Sequence, residues 1–80
     1  MSPNPYPVFQ VVEGLSVDEL RQRIKLLIKL YAFDKNIAVA QAVEEHINGL
    51  LVHEDYKADV SQRCQLRRLS VHWRYLAWVS

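Results

Sequence analysis

After position 15, apolar residues recur at intervals of three and four in three successive segments, and this period constrains the fold more than any other feature of the chain. A stripe with this spacing lies along one side of an α-helix and has to be covered by another element. The 80 residues suffice for one small domain. The sequence therefore predicts an all-α, compact three-helix domain over residues 16–80, preceded by an extended arm over residues 1–15.

The arm differs in character from the rest of the chain. Pro3, Pro5 and Pro7 alternate with other residues and favour extended backbone. A short β-prone run follows over residues 8–12 and ends at Glu13-Gly14. Because a lone strand cannot stabilise itself, we expect the arm to dock on the helices as a strap, to pair with a second copy, or to offer an edge to a partner. We favour the strap.

The first helix has the clearest local signal. Ser16 is placed as its N-cap, Glu19 follows three residues later to complete a capping box, and Leu15 and Leu20 can form a hydrophobic staple. Its apolar residues form one row of Val17, Leu20, Ile24, Leu27, Ile28 and Tyr31 and a second row of Leu26, Leu30 and Phe33. A helix with two apolar sides has to be covered on both, either as a central helix of its own chain or at the face of a homodimer.

The second and third helices follow from weaker start signals. Asp34 is the predicted N-cap of helix two, which continues through Gly49 to about His53, and Asp59 or Asp55 is the predicted cap of helix three. The main apolar seam of helix three consists of Leu66, Leu69, Trp73 and Leu76, and a second row of Val60, Cys64, Val71, Tyr75 and Trp78 is expected to widen it. We expect helix three to pack antiparallel on helix two.

Few residues have a pattern that indicates chemistry. The candidate metal ligands are His46, His53, His72 and Cys64. Their spacings do not resemble those of a metal site, and Cys64 falls in an apolar row that we expect to be buried. The adjacent acid pairs at 44–45 and 54–55 come with no nucleophile or phosphate-binding motif. We therefore expect a protein that is not an enzyme, with no catalytic residue, no metal and no cofactor.

The compartment is suggested by cysteine usage and hydropathy. A single cysteine excludes an internal disulfide framework and favours a reducing environment. No segment approaches the roughly 18 apolar residues of a membrane span, and the N-terminus does not resemble a signal peptide. The expectation is a cytoplasmic protein without a membrane anchor.

Charge is distributed unevenly along the chain. Residues 1–59 hold all nine acids and six bases, a net charge of −3, whereas residues 60–80 hold four arginines and no acid, a net charge of +4. The candidate partner-binding residues of helix three are Arg63, Arg67, Arg68, His72, Arg74, Tyr75 and Trp78. Acidic residues of helix two and the following loop could also neutralise these arginines within the molecule.

Three functions are compatible with this cluster. The favoured one is a small interaction or regulatory module that binds a larger protein through helix three or the N-terminal arm, since Trp, Tyr and Arg are enriched at interface hot spots. The second is a nucleic-acid-binding domain that uses the helix-three arginines, although a net charge of +1 is low for that role. The third is a structural subunit of a larger assembly.

Overall fold

The computed structural model describes residues 14–79, which form three helices: α1 (Val17–Phe33), α2 (Ile37–Leu51) and α3 (Val60–Val79). This confirms the predicted all-α, three-helix class. Of the predicted arm, only Gly14 and Leu15 belong to the described residues, so the proposed strap lies outside them. Within residues 14–79, no helix is long and apolar enough to cross a membrane.

The start of α1 is the capping box that the sequence predicts. The Ser16 hydroxyl oxygen accepts the backbone N–H of Glu19 at 3.1 Å, and Glu19 Oε1 accepts the backbone N–H of Ser16 at 3.1 Å. These hydrogen bonds favour the charged carboxylate and lower the pKa of Glu19. Gly14 has a φ of 81°, a conformation that favours glycine, just before the cap. Leu15 packs against the core and Leu20 is buried, as a staple requires.

The predicted bounds of α2 were wrong by two residues at each end. The N-cap is Asn36, whose side-chain oxygen accepts the Ala38 N–H at 2.7 Å. Asp34 instead terminates α1, because its backbone is extended and its N–H donates to the Leu30 carbonyl at 2.9 Å. At the other end α2 stops at Leu51 and not at His53. Gly49 lies inside the helix, as predicted.

The start of α3 resolves the choice between two candidate caps in favour of Asp59. Its side-chain oxygen accepts the Gln62 N–H at 2.8 Å, and the Gln62 side chain accepts the Asp59 N–H at 3.3 Å. This is a reciprocal pair of the capping-box kind, with glutamine in the place of glutamate.

Helix α2 is the centre of the fold. It packs against α1 on one side and against α3 on the other. Helix α3 runs antiparallel to α2, as predicted. Asn48 is hydrogen-bonded to Ser70, and Glu44, four residues earlier in α2, is bonded to Arg74, four residues later in α3. The buried apolar core is Leu20, Ile24, Leu27 and Tyr31 of α1; Val39, Ala40, Val43, Ile47 and Leu50 of α2; Tyr56 of the connection; and Trp73 of α3.

The second apolar row of α1 is mostly uncovered within the described part of the chain. Leu26 is 56% exposed and Phe33 is 93% exposed, while Leu30 is partly buried. One of the two predicted arrangements made α1 the central helix, whereas α2 occupies that position. The reason is its composition: α2 is the most apolar of the three helices and carries few charges, so burying it on two sides costs least.

Candidate functional site

Helix α3 buries only a narrow strip of its surface. Over its 20 residues the buried side chains are Ser70 and Trp73, and Leu66, Leu76 and Ala77 are partly buried. The explanation is positional, since α3 packs broadly on α2 alone and touches α1 mainly at one point. Most of this helix therefore faces solvent in the described structure.

Three contacts fix the rotation of α3 about its axis. The Ser70 hydroxyl donates to the side-chain oxygen of Asn48 at 2.6 Å. The Trp73 ring meets the Tyr31 ring edge-on, with centroids 5.0 Å apart. Arg74 Nε donates to Glu44 Oε2 at 2.6 Å. Because these contacts lie within five residues on one side of the helix, they define which side is turned outward.

Arg63 is engaged within the molecule. Its guanidinium donates to the backbone carbonyl of Leu51 at 3.2 Å, of Tyr56 at 3.0 Å and of Ala58 at 3.4 Å. Its charge also lies 5.3 Å from the centre of the Tyr56 ring, where Arg21 approaches at 5.9 Å. Arg63 thus holds the connection between α2 and α3 in place, which makes it a structural residue of the predicted set.

The other basic residues of the predicted set lie on the surface. Arg67 and Arg68 are exposed and have no hydrogen bond or ion pair within residues 14–79. Arg74 is exposed and paired with Glu44, so its charge is partly neutralised. His72 is exposed and meets the Trp73 ring edge-on at 6.1 Å. Helix two therefore supplies one acidic partner to these arginines and leaves two of them uncompensated.

The second apolar row of α3 corrects the sequence-based prediction. It was expected to widen the buried seam, but every member of the row is exposed: Val60, Cys64, Val71, Tyr75 and Trp78. The prediction that the cysteine is buried was therefore wrong as well. Sequence period alone cannot distinguish the two apolar sides of a helix, and the side with Trp73 is turned inward by the contacts described above.

These five residues form an outward stripe with a gap of two helical turns, bordered by Arg67, between Cys64 and Val71. At 100° per residue they fall within about 60° of one another around the helix, and Val60 to Trp78 spans about 27 Å along it. Val60 and Val71, and likewise Cys64 and Tyr75, are separated by eleven residues. An 11-residue apolar repeat follows a nearly straight path on an α-helix, as in helices that pack side by side. We call this stripe and its flanking basic residues the outer face of α3.

The flanks of the outer face are basic on both sides. Arg67 and Arg74 lie along one edge of the stripe, and Arg68 and His72 along the other. No acidic residue occurs in α3. An apolar centre with charged edges is the pattern of a helix that pairs with another amphipathic helix. The sequence identified the arginines and the aromatic residues as candidates for binding. It missed Val60, Cys64 and Val71, because apolar residues at helical spacing were predicted to be buried in the core.

One surface depression lies between the start of α1 and the end of α2. Its volume is about 550 Å³, and Glu19, His53 and Asp55 are among the residues that line it. There His53 Nε2–H donates to the Leu15 carbonyl at 2.9 Å while Nδ1 accepts the Asp55 N–H at 3.0 Å, so the ring holds two segments together. No group of three His, Cys, Asp or Glu side chains within residues 14–79 is arranged to bind a metal ion.

His46 is buried in the core of α2. Its Nδ1–H donates to the Ala42 carbonyl at 2.6 Å, and desolvation lowers its pKa, with the nearby charge of Arg23 acting in the same direction. A neutral imidazole in this place is part of the packing.

Comparison with known proteins gave no relative: no protein-family model, no curated protein and no solved structure matches the chain. The geometry of α3 is therefore the main indication of function.

Proposed function

We propose that this protein is a small, non-enzymatic interaction module that binds a larger protein through the outer face of α3. The observation that carries the proposal is the exposure of the whole apolar stripe. Trp78 is 84% exposed and Tyr75 is 62% exposed, and three smaller apolar residues lie in line with them. Exposed apolar surface with polar edges is typical of protein-binding sites.

The composition of the face supports a protein partner. Trp, Tyr and Arg dominate interface hot spots because each combines a large contact area with a directional polar group. Here Tyr75, Trp78, Arg67 and Arg74 lie on one side of one helix. The helix is also fixed in orientation by Ser70 and Trp73, so little order has to be gained on binding.

A nucleic-acid partner fits this face less well. Binding to a phosphate backbone gains affinity with each cationic side chain that neutralises a phosphate and releases its counterions. Arg67 and Arg68 are the arginines of α3 without a hydrogen-bonding partner within residues 14–79, since Arg63 binds carbonyls and Arg74 binds Glu44. The valines of the stripe have no role in such binding.

We expect the protein to act in the cytoplasm as a dedicated partner of one larger protein. A single free cysteine on the surface is compatible with a reducing compartment. The role of a structural subunit is a variant of the same proposal, in which the complex is permanent.

The test is a differential capture from cells that make the protein. The tagged full chain is compared with a Tyr75→Ser/Trp78→Ser variant and with a matched control, Leu26→Ser/Phe33→Ser, which removes two large exposed apolar residues from α1. Each capture is performed with and without nuclease. We expect a stoichiometric protein that is captured by the wild type and the control and lost with the α3 variant. Equal capture by all three proteins, or capture that disappears with nuclease, would refute the proposal.

A further inference from the structure

We infer that the docking element recognised by the outer face is an amphipathic α-helix whose apolar stripe is flanked by Asp and Glu residues. This inference rests on the proposed function and adds the chemistry of the partner. It follows from the shape of the face, from its charge, and from the unsuitability of a second copy of the chain.

The shape of the face favours a helix over other elements. The apolar residues lie in one straight row along about 27 Å of exposed helix, which is the length of roughly 18 helical residues. Side chains along such a row leave holes into which the side chains of a second helix fit, and the 11-residue spacing keeps both rows in register without strong supercoiling. An extended peptide that binds by strand addition would need an open strand edge, and none occurs within residues 14–79.

The charge of the face requires acidic flanks on the partner. The two edges of the outer face would meet the flanking positions of a docked helix. One edge carries Arg67 and Arg74, and the other carries Arg68 and His72. Like charges in those positions would repel, and opposite charges would form ion pairs at the rim that set partner choice. Because Arg67 and Arg68 have no partner within the described residues, each is available for such a pair.

A second copy of the chain does not meet this requirement. Its own α3 would bring the same arginines and no acid. Its other exposed apolar row, on α1, is accompanied by Lys25 and Lys29, and the two acids of α1 lie in the first turn, where Glu19 is held in the capping box. Both of these exposed apolar rows, which belong to the described residues 14–79 of a second copy, are therefore basic over most of their length.

The experiment uses the full chain and designed peptides. Two synthetic peptides of about 22 residues carry the same apolar stripe in two 11-residue repeats. One has glutamates along both edges and the other has lysines. A third has the composition of the acidic peptide in an order that does not form a stripe. Binding of each labelled peptide is followed by fluorescence anisotropy at low and at physiological salt.

We expect the acidic-edged peptide to bind about tenfold more tightly than the basic-edged one, and the difference to shrink as salt rises. The scrambled acidic peptide should not bind. Arg67→Glu/Arg68→Glu should reverse the preference, whereas Lys25→Glu/Lys29→Glu, the same change of charge on α1, should leave it unaltered. Circular dichroism confirms that each variant retains its helices.

Several results would overturn the inference. These are equal binding of the acidic-edged and basic-edged peptides, binding of the scrambled peptide, tighter binding of mixed single-stranded DNA in the same assay, or a stable dimer of the protein in sedimentation that excludes the peptides. No peptide binding together with a positive differential capture would leave the proposed function standing and reject the acidic helix as the element recognised. The two ideas therefore fail separately.

Discussion

Replacement by alanine should destabilise the protein strongly at one tryptophan of α3 and hardly at the other. Trp73 is 7% exposed and packs edge-on against Tyr31, whereas Trp78 is 84% exposed. Replacement of a buried Trp by Ala typically costs 3–5 kcal/mol through lost burial and the cavity that remains, and the aromatic pair adds to this value. Surface replacements usually change stability by less than about 0.5 kcal/mol. We therefore expect a difference of about 3 kcal/mol or more between the two variants.

The magnitude matters because the domain is small. At roughly 0.05–0.15 kcal/mol per residue, a chain of 80 residues has a total stability of about 4–12 kcal/mol, so Trp73→Ala removes a large part of it or all of it. A Trp73→Phe variant retains a ring at this site and should lose less. The phenylalanine variant allows the comparison with Trp78 even if the Trp73→Ala protein does not fold.

Urea titration followed by circular dichroism is the appropriate assay, since it does not depend on the tryptophan that is removed. Trp78→Ala should have the midpoint of the wild type, and Trp73→Ala a much lower one or none. If Trp78→Ala proved as destabilising as Trp73→Ala, the outer face would be part of the core and the assignment of the two sides of α3 would be refuted.

Three further expectations concern stability. Protonation of buried His46, whose pKa is lowered by desolvation, should destabilise the fold, so the free energy of unfolding from urea titration should fall between pH 7.5 and pH 5.5, by at most about 1.4 kcal/mol per pH unit; an unchanged free energy would contradict this expectation. The sign follows because the unfolded chain, with a histidine pKa near 6.5, binds the proton more readily than the folded one. Arg63→Ala should cost about 1–3 kcal/mol in the same titration because three carbonyls lose a charged donor, whereas an equal loss in Arg67→Ala would contradict the assignment of roles. Ser16→Ala should cost about 1 kcal/mol by removal of the α1 cap, and an unchanged thermal midpoint would show that the cap contributes little.

The sequence predicts the helices well because their signals are local. The Ser16–Glu19 box and the apolar period required only residues within a few positions of one another, and both were confirmed. The start of α2 was missed because Asp34 and Asn36 are both capable caps, and the choice depended on how α1 ends. The position of the α2 N-cap therefore depends on α1 and α2 together and cannot be predicted from either segment alone.

The candidate site was only half accessible to sequence reasoning. Arg67, Arg68 and Trp78 were identified from residue type alone. The exposure of Cys64 and Val71 could not be predicted, since a helix with two apolar rows does not reveal which row is covered. That choice is made by long-range contacts, such as those of Trp73 and Ser70, that link α3 to the other two helices.

Site-specific photo-crosslinking in cells tests the central claim most directly. A photoreactive phenylalanine analogue is placed at position 71 in the middle of the outer face, and in parallel at position 26 in the exposed row of α1. If the outer face of α3 is the binding surface, position 71 should yield one discrete protein adduct that position 26 does not yield. Adducts of the same protein from both positions, or from position 26 alone, would contradict the account.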